Sequence, residues 1–221
     1  PKVSDKATEW ETVDSEVIAK LNEISAKGGQ IRIVSNTILS PSTKAAIDKF
    51  KAKYPTTTHI QYDPISYYGI LKANKESFGA AMIPSYDFSK AKVIVSIGAD
   101  FLGTWLSPIE FTKQFAVNRE VTEDKRDMSR LYQFESNLSL TGANADYRSM
   151  IKPSQEGLVV AQIYNILAGN GAKSIDKIAY LEKAAEELKA NAGKALVVCG
   201  SNDKSVQIVV NAINNLLGSY G

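Results

Sequence analysis

The chain has 221 residues, of which 44% are hydrophobic and 23% charged, and its 26 basic and 24 acidic side chains leave a formal net charge of +2. These values are ordinary for a globular domain, and because no basic block occurs, neither nucleic acid nor an anionic membrane surface is expected as a partner. No apolar run reaches the ~20 residues that a membrane-spanning helix needs, so no membrane span is expected. The chain begins without Met and has no signal-peptide pattern, and we expect a fragment of a larger subunit.

The first third of the chain alternates helical and strand patterns. A helical pattern follows a cap at Asp14 or Ser15 and stops at Gly28, and Pro55 closes a second helix. The predicted elements are helix 15–27, strand 30–35, helix 43–54, strand 58–62 and helix 66–79.

The middle of the chain holds the most apolar strand of the sequence. Val93, Ile94, Val95 and Ile97 form an almost unbroken β-branched run, which is typical of a central strand that is covered on both faces. After a glycine-containing loop, Ser107 can cap a helix over 108–118, with Pro108 at its first position and Glu110 closing a capping box.

The last part of the chain continues the alternation. We predict an exposed charged loop 120–127, strand 129–134, a long loop with a short strand 148–151, helix 154–170, helix 175–191, strand 195–199 and helix 206–218. The whole pattern predicts an α/β fold with a doubly wound, mostly parallel sheet, helices on both faces and strand 92–97 in the centre. We expect a single α/β domain over 1–221, with helix 175–191 as a peripheral excursion.

Small polar residues follow each strand that the pattern identifies well. Since ligands of open α/β sheets bind at the carboxyl ends of strands, these loops would line one edge. Asp100 and Glu135 could accept hydrogen bonds from ribose hydroxyls, while Ser, Asn and backbone N–H groups could hold phosphate. The strict dinucleotide fingerprint and the P-loop lysine are absent, and no histidine, cysteine or lysine lies in these loops to act with the acids. We therefore predict no catalytic residue.

His59 and Cys199 are the only histidine and the only cysteine of the chain. An internal disulfide, a cysteine-held iron–sulfur cluster and a structural zinc site are therefore excluded within this sequence. His59 lies in a predicted strand, where it is either structural or the base of a nucleophilic system. Cys199 ends a strand and is interpreted as a buried thiol without a role.

Particular sequence segments resemble the molybdopterin oxidoreductase family. The resemblance is carried by GADFLGTWLSP (98–108), SLTGANAD (139–146), ALVVCGSN (195–202) and AINNLLGSYG (212–221), and it spans essentially the whole chain. The sequence is most similar to the molybdopterin-like part of the large iron–sulfur subunit of bacterial alternative complex III, a quinol-oxidising membrane complex.

The resemblance implies a nucleotide-binding α/β fold that, in catalytic relatives, holds a guanine-dinucleotide pterin of molybdenum. It implies as partners the other subunits of a membrane respiratory complex, including iron–sulfur and cytochrome c subunits, and a peripheral location on the periplasmic side of the bacterial inner membrane. The positions that match cofactor-binding loops are Ser35, Asn36, Thr37, Gly98, Ala99, Asp100, Ser107, Pro108, Glu135, Ser136, Thr141, Asp146, Gly200 and Ser201.

The sequence also departs from the family pattern. The amino-terminal cysteine cluster and the carboxyl-terminal barrel that closes over the pterin are missing. Ser66 falls about where some relatives carry their molybdenum ligand, but Ile65, Tyr67 and Tyr68 surround it with bulk, and we interpret it as a helix cap. Within alternative complex III this part of the subunit is understood to carry no molybdenum.

Three functions remain open from the sequence. The first is a cofactor-free scaffold of the redox subunits, with no metal and only vestigial binding loops. The second is a fragment of an active oxidoreductase that binds molybdopterin guanine dinucleotide. The third, which holds only if the resemblance is misread, is a free-standing nucleotide-binding protein.

Overall fold

The computed structural model describes residues 1–3, 5–38, 40–170 and 178–220. The chain divides into two compact units, Pro1–Ser66 and Tyr67–Gly221, and each unit has its own parallel sheet. The single domain predicted over 1–221 therefore stays a prediction.

The first unit contains a small hairpin and a parallel strand pair. Its elements are β1 (Lys2–Val3), β2 (Lys6–Ala7), α1 (Trp10–Ala26), β3 (Ile31–Ser35), α2 (Pro41–Lys53) and β4 (Thr57–Gln61). Strands β1 and β2 pair antiparallel, whereas β3 and β4 pair in parallel with Ile33 opposite His59.

Two helix starts in this unit differ from the sequence prediction. Helix α1 begins at Trp10, after the extended residue Glu9, so Asp14 lies inside the helix and does not cap it. Helix α2 begins at Pro41 instead of Thr43, because Ser40 is the cap and accepts a hydrogen bond from the Thr43 N–H at 3.3 Å. Proline suits this first position since its fixed φ is helical and its missing N–H is not needed there.

The second unit carries the main sheet. Its helices are α3 (Tyr68–Phe78), α4 (Pro108–Val117), α5 (Leu140–Ala143), α6 (Glu156–Leu167), α7 (Leu181–Ala190) and α8 (Lys204–Leu216). Its strands are β5 (Val93–Ile97), β6 (Arg130–Glu135), β7 (Tyr147–Met150) and β8 (Ala195–Cys199), in the order β7-β6-β5-β8 and all parallel. The position of β5 between β6 and β8 confirms the predicted central strand.

Two apolar layers cover the two faces of this sheet. Every residue of β5 is buried, and its side chains alternate between the layers. One layer joins Val95 and Ile97 to the inner sides of α6, α7 and α8, and the other joins Ile94 to an aromatic cluster around Phe101 and Phe111. Burial on both faces explains why this strand lacks polar alternation, and it confirms the doubly wound α/β fold.

Helix α7 is part of this packing. Its buried side chains are Leu181, Ala184, Ala185 and Leu188, and three of them belong to the core layer on α6 and α8. The helix was predicted over 175–191 as an excursion; residues 175–177 lie outside the described residues, and the described part is integral to the core. No described helix is both long and apolar enough to cross a membrane.

Candidate functional site

The predicted binding residues of the second unit gather mainly at one edge of its sheet. Residues 98–107 follow β5, residues 135–142 close β6, and residues 200–203 follow β8. Because the four strands are parallel, these carboxyl ends share one edge, which we call the rim. The architecture therefore assembles the surface at which open α/β sheets bind ligands.

Asp100 is held by the loop after β6. Its Oδ1 accepts hydrogen bonds from the Thr141 backbone N–H at 3.0 Å and from the Thr141 hydroxyl at 2.8 Å, while the Thr104 hydroxyl reaches Oδ2 at 3.3 Å. A Cβ on Gly103 would stand 2.2 Å from Oδ2, so only glycine fits beside this carboxylate. The residue predicted to receive a ribose hydroxyl is therefore used to join the rim loops.

The carboxylate of Glu135 accepts more hydrogen bonds than that of Asp100. Its Oε1 accepts from Arg148 Nε at 2.6 Å and from the Ser139 N–H at 3.2 Å, and its Oε2 accepts from the Ser139 hydroxyl at 2.5 Å and from Gln133 Nε2 at 3.1 Å. Burial of the carboxylate opposes ionisation, but the donors from Ser139 and Arg148 outweigh it and lower the pKa of Glu135 below its usual value. Glu135 is thus an ionised acid inside the molecule, only 3% exposed.

The short helix α5 positions these two acids, and the sequence did not predict it. Ser139 caps it by accepting from the Gly142 N–H at 2.9 Å while its hydroxyl also donates to Glu135. A Cβ on Gly142 would come 1.9 Å from Glu135 Oε1, so the helix can approach the carboxylate only with glycine there. Ser139 and Thr141 therefore donate hydrogen bonds to Glu135 and Asp100, and Gly142 leaves the space that Glu135 occupies.

A further acid of the rim was missed by the sequence analysis. Glu156 is the first residue of α6, and a Cβ on Gly98 would stand 2.6 Å from its Oε1. The carboxylate is half-buried and has no hydrogen-bond partner among the described residues, and burial raises its pKa. Only the position of Glu156 at a helix start could have indicated it, and acids are common there.

Backbone groups of the rim are also largely paired. The Gly98 N–H donates to Phe134 O and the Gly200 N–H donates to Ile97 O, each at 2.8 Å. A Cβ on Gly200 would meet the Gly98 carbonyl at 2.3 Å, which shows how closely these two loops approach. Gly98 and Gly200 thus allow the two loops to pack closely together. Ala99, which follows Gly98, is fully buried.

Some predicted site residues lie elsewhere or act differently. Asp146 precedes β7 at the opposite, amino-terminal edge, where it pairs with Arg119 at 2.8 and 3.0 Å and accepts from the Leu131 N–H at 2.7 Å. The start of α4 also differs from the prediction. Ser107 occupies the cap position of this helix but makes no side-chain cap hydrogen bond, so the predicted cap and capping box are wrong. Its backbone, at φ −133° and ψ 68°, departs from the extended form typical of a capping serine.

Ser35, Asn36 and Thr37 lie in the first unit, after β3. The Thr37 N–H donates to Asp63 Oδ1 at 2.8 Å and its hydroxyl donates to Asp63 Oδ2, and these bonds lower the pKa of Asp63. Ser35 Oγ lies 2.8 Å from His59 Nε2 and donates to the Asn36 carbonyl at 2.7 Å.

The Ser35–His59 contact lies in the first unit, within the parallel strand pair. The Ser35 hydroxyl is within hydrogen-bond distance of both the Asn36 carbonyl and His59 Nε2, so which group donates to which depends on the tautomer of the histidine. Both interpretations of His59, as a structural residue and as a base, therefore stay predictions.

The sequence offers Ser66 as a molybdenum ligand or as a helix cap. Helix α3 begins at Tyr68 after Tyr67, so Ser66 is not its cap. No cluster of three or more His, Cys, Asp or Glu side chains suited to a metal occurs among the described residues. Burial raises the pKa of the Cys199 thiol to about 12, so the thiolate that would act as ligand or nucleophile does not form near neutral pH.

Two solved structures have a fold similar to that of this chain. The formyltransferase/hydrolase complex (FhcABCD) from Methylorubrum extorquens, solved with methylofuran, contains a chain of similar structure, with a TM-score of 0.62 and 14% identity over 94% of this chain and 55% of that one. Acetylene hydratase from Pelobacter acetylenicus is also similar, with a TM-score of 0.57 and 15% identity over 97% of this chain and 33% of the enzyme. No family profile and no curated protein matches the sequence.

The chain thus spans about half of one solved relative and a third of the other. At such low identity the likeness concerns the fold alone, and it is the α/β fold that the sequence resemblance implies. This chain shares its fold with parts of these larger enzyme chains.

Proposed function

We propose that this chain is a molybdopterin-oxidoreductase-like domain that carries no cofactor and acts as a scaffold. The proposed setting is a membrane-attached, quinol-oxidising electron-transfer complex of the alternative complex III type, on the periplasmic side of the inner membrane, with iron–sulfur and cytochrome c subunits as neighbours. The likeness in fold supports the coarser part, an oxidoreductase-like domain of this type. The particular complex, its location and its subunits rest on the sequence resemblance.

The observation that carries the cofactor-free assignment is the internal use of the rim acids. Asp100 is bonded to Thr141, and Glu135 is bonded to Arg148 and Ser139. A dinucleotide at this edge would need free acceptors for its ribose hydroxyls and free donors or cations for its phosphates. The predicted residues fit such a group poorly, because their side chains already bind one another.

Elemental and pterin analysis of the full-length parent complex tests this assignment. We expect no stoichiometric molybdenum by plasma mass spectrometry and no pterin fluorescence after oxidative extraction, while iron serves as the internal control for cofactor retention. One molybdenum and one guanine-containing pterin per complex would contradict the proposal.

The scaffold role has its own test. If this domain organises the redox subunits, a parent subunit that lacks residues 1–221 should fail to co-purify with its iron–sulfur and cytochrome c neighbours. Assembly of the complete complex without the domain would contradict the scaffold role but would leave the cofactor assignment untouched.

Glu156 favours the alternative, a fragment of an active pterin-binding enzyme. It is a half-buried acid of raised pKa beside Gly98 at the rim, and such a carboxyl group is suited to proton transfer. Under this alternative the full-length parent would contain molybdenum, and Glu156→Gln would lower its turnover without changing its metal content.

A further inference from the structure

A cavity of about 300 Å³ lies at the end of the sheet where its strands begin, opposite the rim at their carboxyl ends. The amino-terminal start of β8 forms one wall, the segment 84–91 forms a second, and the end of α8 with the residues after it forms a third. Strands of five residues span about 16 Å, so the cavity and the rim are separate places. Its volume lies at the lower end of the range for small-molecule sites, about 300–1,000 Å³.

Two tyrosines of the cavity lining, Tyr86 and Tyr220, carry hydroxyls that can act as hydrogen-bond donors. Burial raises the pKa of Tyr86 well above its usual value and that of Tyr220 to about 12, so both phenols keep their proton at neutral pH. The Tyr86 hydroxyl has no hydrogen-bond partner among the described residues. The Tyr220 hydroxyl reaches the Asn211 carbonyl and side-chain oxygens only at 3.4 Å, which is long for a hydroxyl donor. Both donors are therefore available to an acceptor in the cavity.

The charged side chains of the lining favour an anion. Lys90 and Lys194 line the cavity together with a single acid, Asp87. Lys90 lies 3.6 Å from Asp87, whereas Lys194 forms no ion pair within the described part of the chain. Among the described residues one ammonium group is therefore left without a carboxylate, and a ligand that carries a carboxylate would supply it.

The remaining surface of the cavity is apolar. Pro84, Ala91 and Leu196 contribute to the lining, and the Tyr86 ring continues into the aromatic cluster through Trp105, whose ring centre lies 5.3 Å away. A ligand that places a carboxylate near Lys194 and the Tyr86 hydroxyl would therefore rest its body against apolar carbon atoms. Such a division, mostly apolar with a few polar anchors, is typical of small-molecule sites.

We propose that this cavity binds a small organic carboxylate with an apolar body, with Lys194 and the Tyr86 and Tyr220 hydroxyls holding the carboxylate. This site is independent of the rim and of the scaffold function proposed above. Its recognition rests on two neutral donors, one ammonium group and an apolar wall.

Titration with benzoate, followed by two-dimensional amide NMR of the chain, tests the site. Benzoate should shift the amides of Gly193, Leu196 and Ser219 saturably, with a Kd of about 1 mM as expected for so small a ligand. Benzamide, its neutral analogue, should bind at least about tenfold more weakly. A second titration uses hexanoate, an aliphatic carboxylate with the same charge as benzoate.

Two variants locate the binding. Tyr86→Phe removes one donor hydroxyl and Lys194→Gln removes the ammonium group, and each should raise the Kd about five- to tenfold. Tyr62→Phe, at an exposed tyrosine of the first unit, is the matched control and should leave the Kd unchanged. Because Lys194 is on the surface, its variant stays informative even if Tyr86→Phe lowers stability.

Any of four results would overturn the proposal. The first three are the absence of saturation by both benzoate and hexanoate up to about 20 mM, equal binding of benzamide, and benzoate binding that neither variant weakens. Inorganic phosphate binding more tightly than benzoate would also overturn it, since the apolar wall would then contribute nothing.

Discussion

Glu135 is the residue on which the rim depends most. Its buried carboxylate accepts four hydrogen bonds and faces the guanidinium of Arg148 at 2.6 Å. The carboxylate of this ion pair is buried, whereas the Arg148 side chain is 29% exposed, and removal of Glu135 leaves a partly buried guanidinium without its partner.

We therefore expect Glu135→Gln to lower the free energy of unfolding by about 2 kcal/mol, less than for a fully buried pair because water still reaches Arg148. Urea unfolding at pH 7 measures the change. The double variant Glu135→Gln with Arg148→Met is the control and should recover part of the loss, because no unpaired charge is then buried. A single variant that unfolds within about 0.5 kcal/mol of the wild type would show that the pair contributes nothing.

The same carboxylate predicts a pH dependence. The folded pKa of Glu135 lies below its usual value of 4.5, so the ionised form is favoured by folding. This contribution to stability is complete above pH 4.5 and is lost as the pH falls through the lower pKa of the folded state. The difference in unfolding free energy between the wild type and Glu135→Gln should therefore be constant near neutral pH and shrink below pH 4.5. A difference that grows on acidification contradicts the lowered pKa.

Gly142 is a second residue whose identity the geometry dictates. A methyl group there would collide with Glu135 Oε1, and the surrounding hydrogen bonds leave the carboxylate little freedom to move. Gly142→Ala should destabilise the chain by about 2 kcal/mol, although alanine is the better helix former. Gly157→Ala in α6 is the matched control, where the nearest atom, Val206 Cγ2, lies at 3.2 Å, and it should change stability by less than about 1 kcal/mol. Thermal unfolding of both variants compares them, and equal effects would refute the steric argument.

At the scale of the element, helix starts show how local sequence is used. Asp203 caps α8, since its Oδ1 accepts from the Ser205 N–H at 2.7 Å and from the Val206 N–H at 3.3 Å. Ser107 has the sequence of a cap before α4, yet its side chain makes no such bond. The preceding Leu106 has a φ of +55°, and its N–H donates to the Tyr67 hydroxyl at 3.1 Å. The chain therefore enters α4 along a path that tertiary contacts set.

These two caps give a paired prediction. Asp203→Ala should lower the free energy of unfolding by about 1 kcal/mol, whereas Ser107→Ala should cost less than about 0.5 kcal/mol. Urea unfolding of the two variants under the same conditions gives the comparison. An equal loss in both would mean that the Ser107 side chain does act as a cap.

At the scale of the whole molecule, the elements that could be predicted from the sequence are those with a clear local pattern of apolar residues. Strand β5 was found because five consecutive buried positions leave an apolar run, and α8 because its buried side chains recur at helical spacing. Helix α5 was not found, since four residues that include Thr141 and Gly142 carry no period. Its role is to hold Asp100, a residue 41 positions earlier, and no local pattern reports such a contact.

The rim residues illustrate the same limit. Sequence reasoning identified the loops from the ends of the strands, but it treated Asp100 and Glu135 as free acids. The pairing of Glu135 with Arg148 depends on the register of β6 and β7, in which Gln133 lies opposite Arg148. This register places the cation beside the acid, and it compensates the charge of Glu135.

The charge balance of the rim then decides whether the molecule binds nucleotides. With Glu135 neutralised by Arg148, the acids that remain are Asp100, Glu156 and Asp203, the last of which caps α8. Repulsion of an anion by each is about 1 kcal/mol in partly screened surroundings, and the attraction from the start of α6 is about as large as one such term. No described lysine or arginine forms an ion pair with these remaining acids, and Arg148 is occupied by Glu135. We therefore expect neither a guanine nucleotide nor a nicotinamide cofactor to bind with micromolar affinity.

Calorimetric titration of the chain with GDP and with NAD measures this affinity directly. The expected result is no saturable heat at concentrations up to about 100 μM, with an unrelated nucleotide-binding protein titrated alongside to establish sensitivity. Asp100→Asn and Glu156→Gln each remove one negative charge and should gain at most about tenfold in affinity, because the donors of the rim stay paired. A Kd below about 10 μM for the wild-type chain, equivalent to roughly 7 kcal/mol of binding, is incompatible with a rim whose polar groups bind one another.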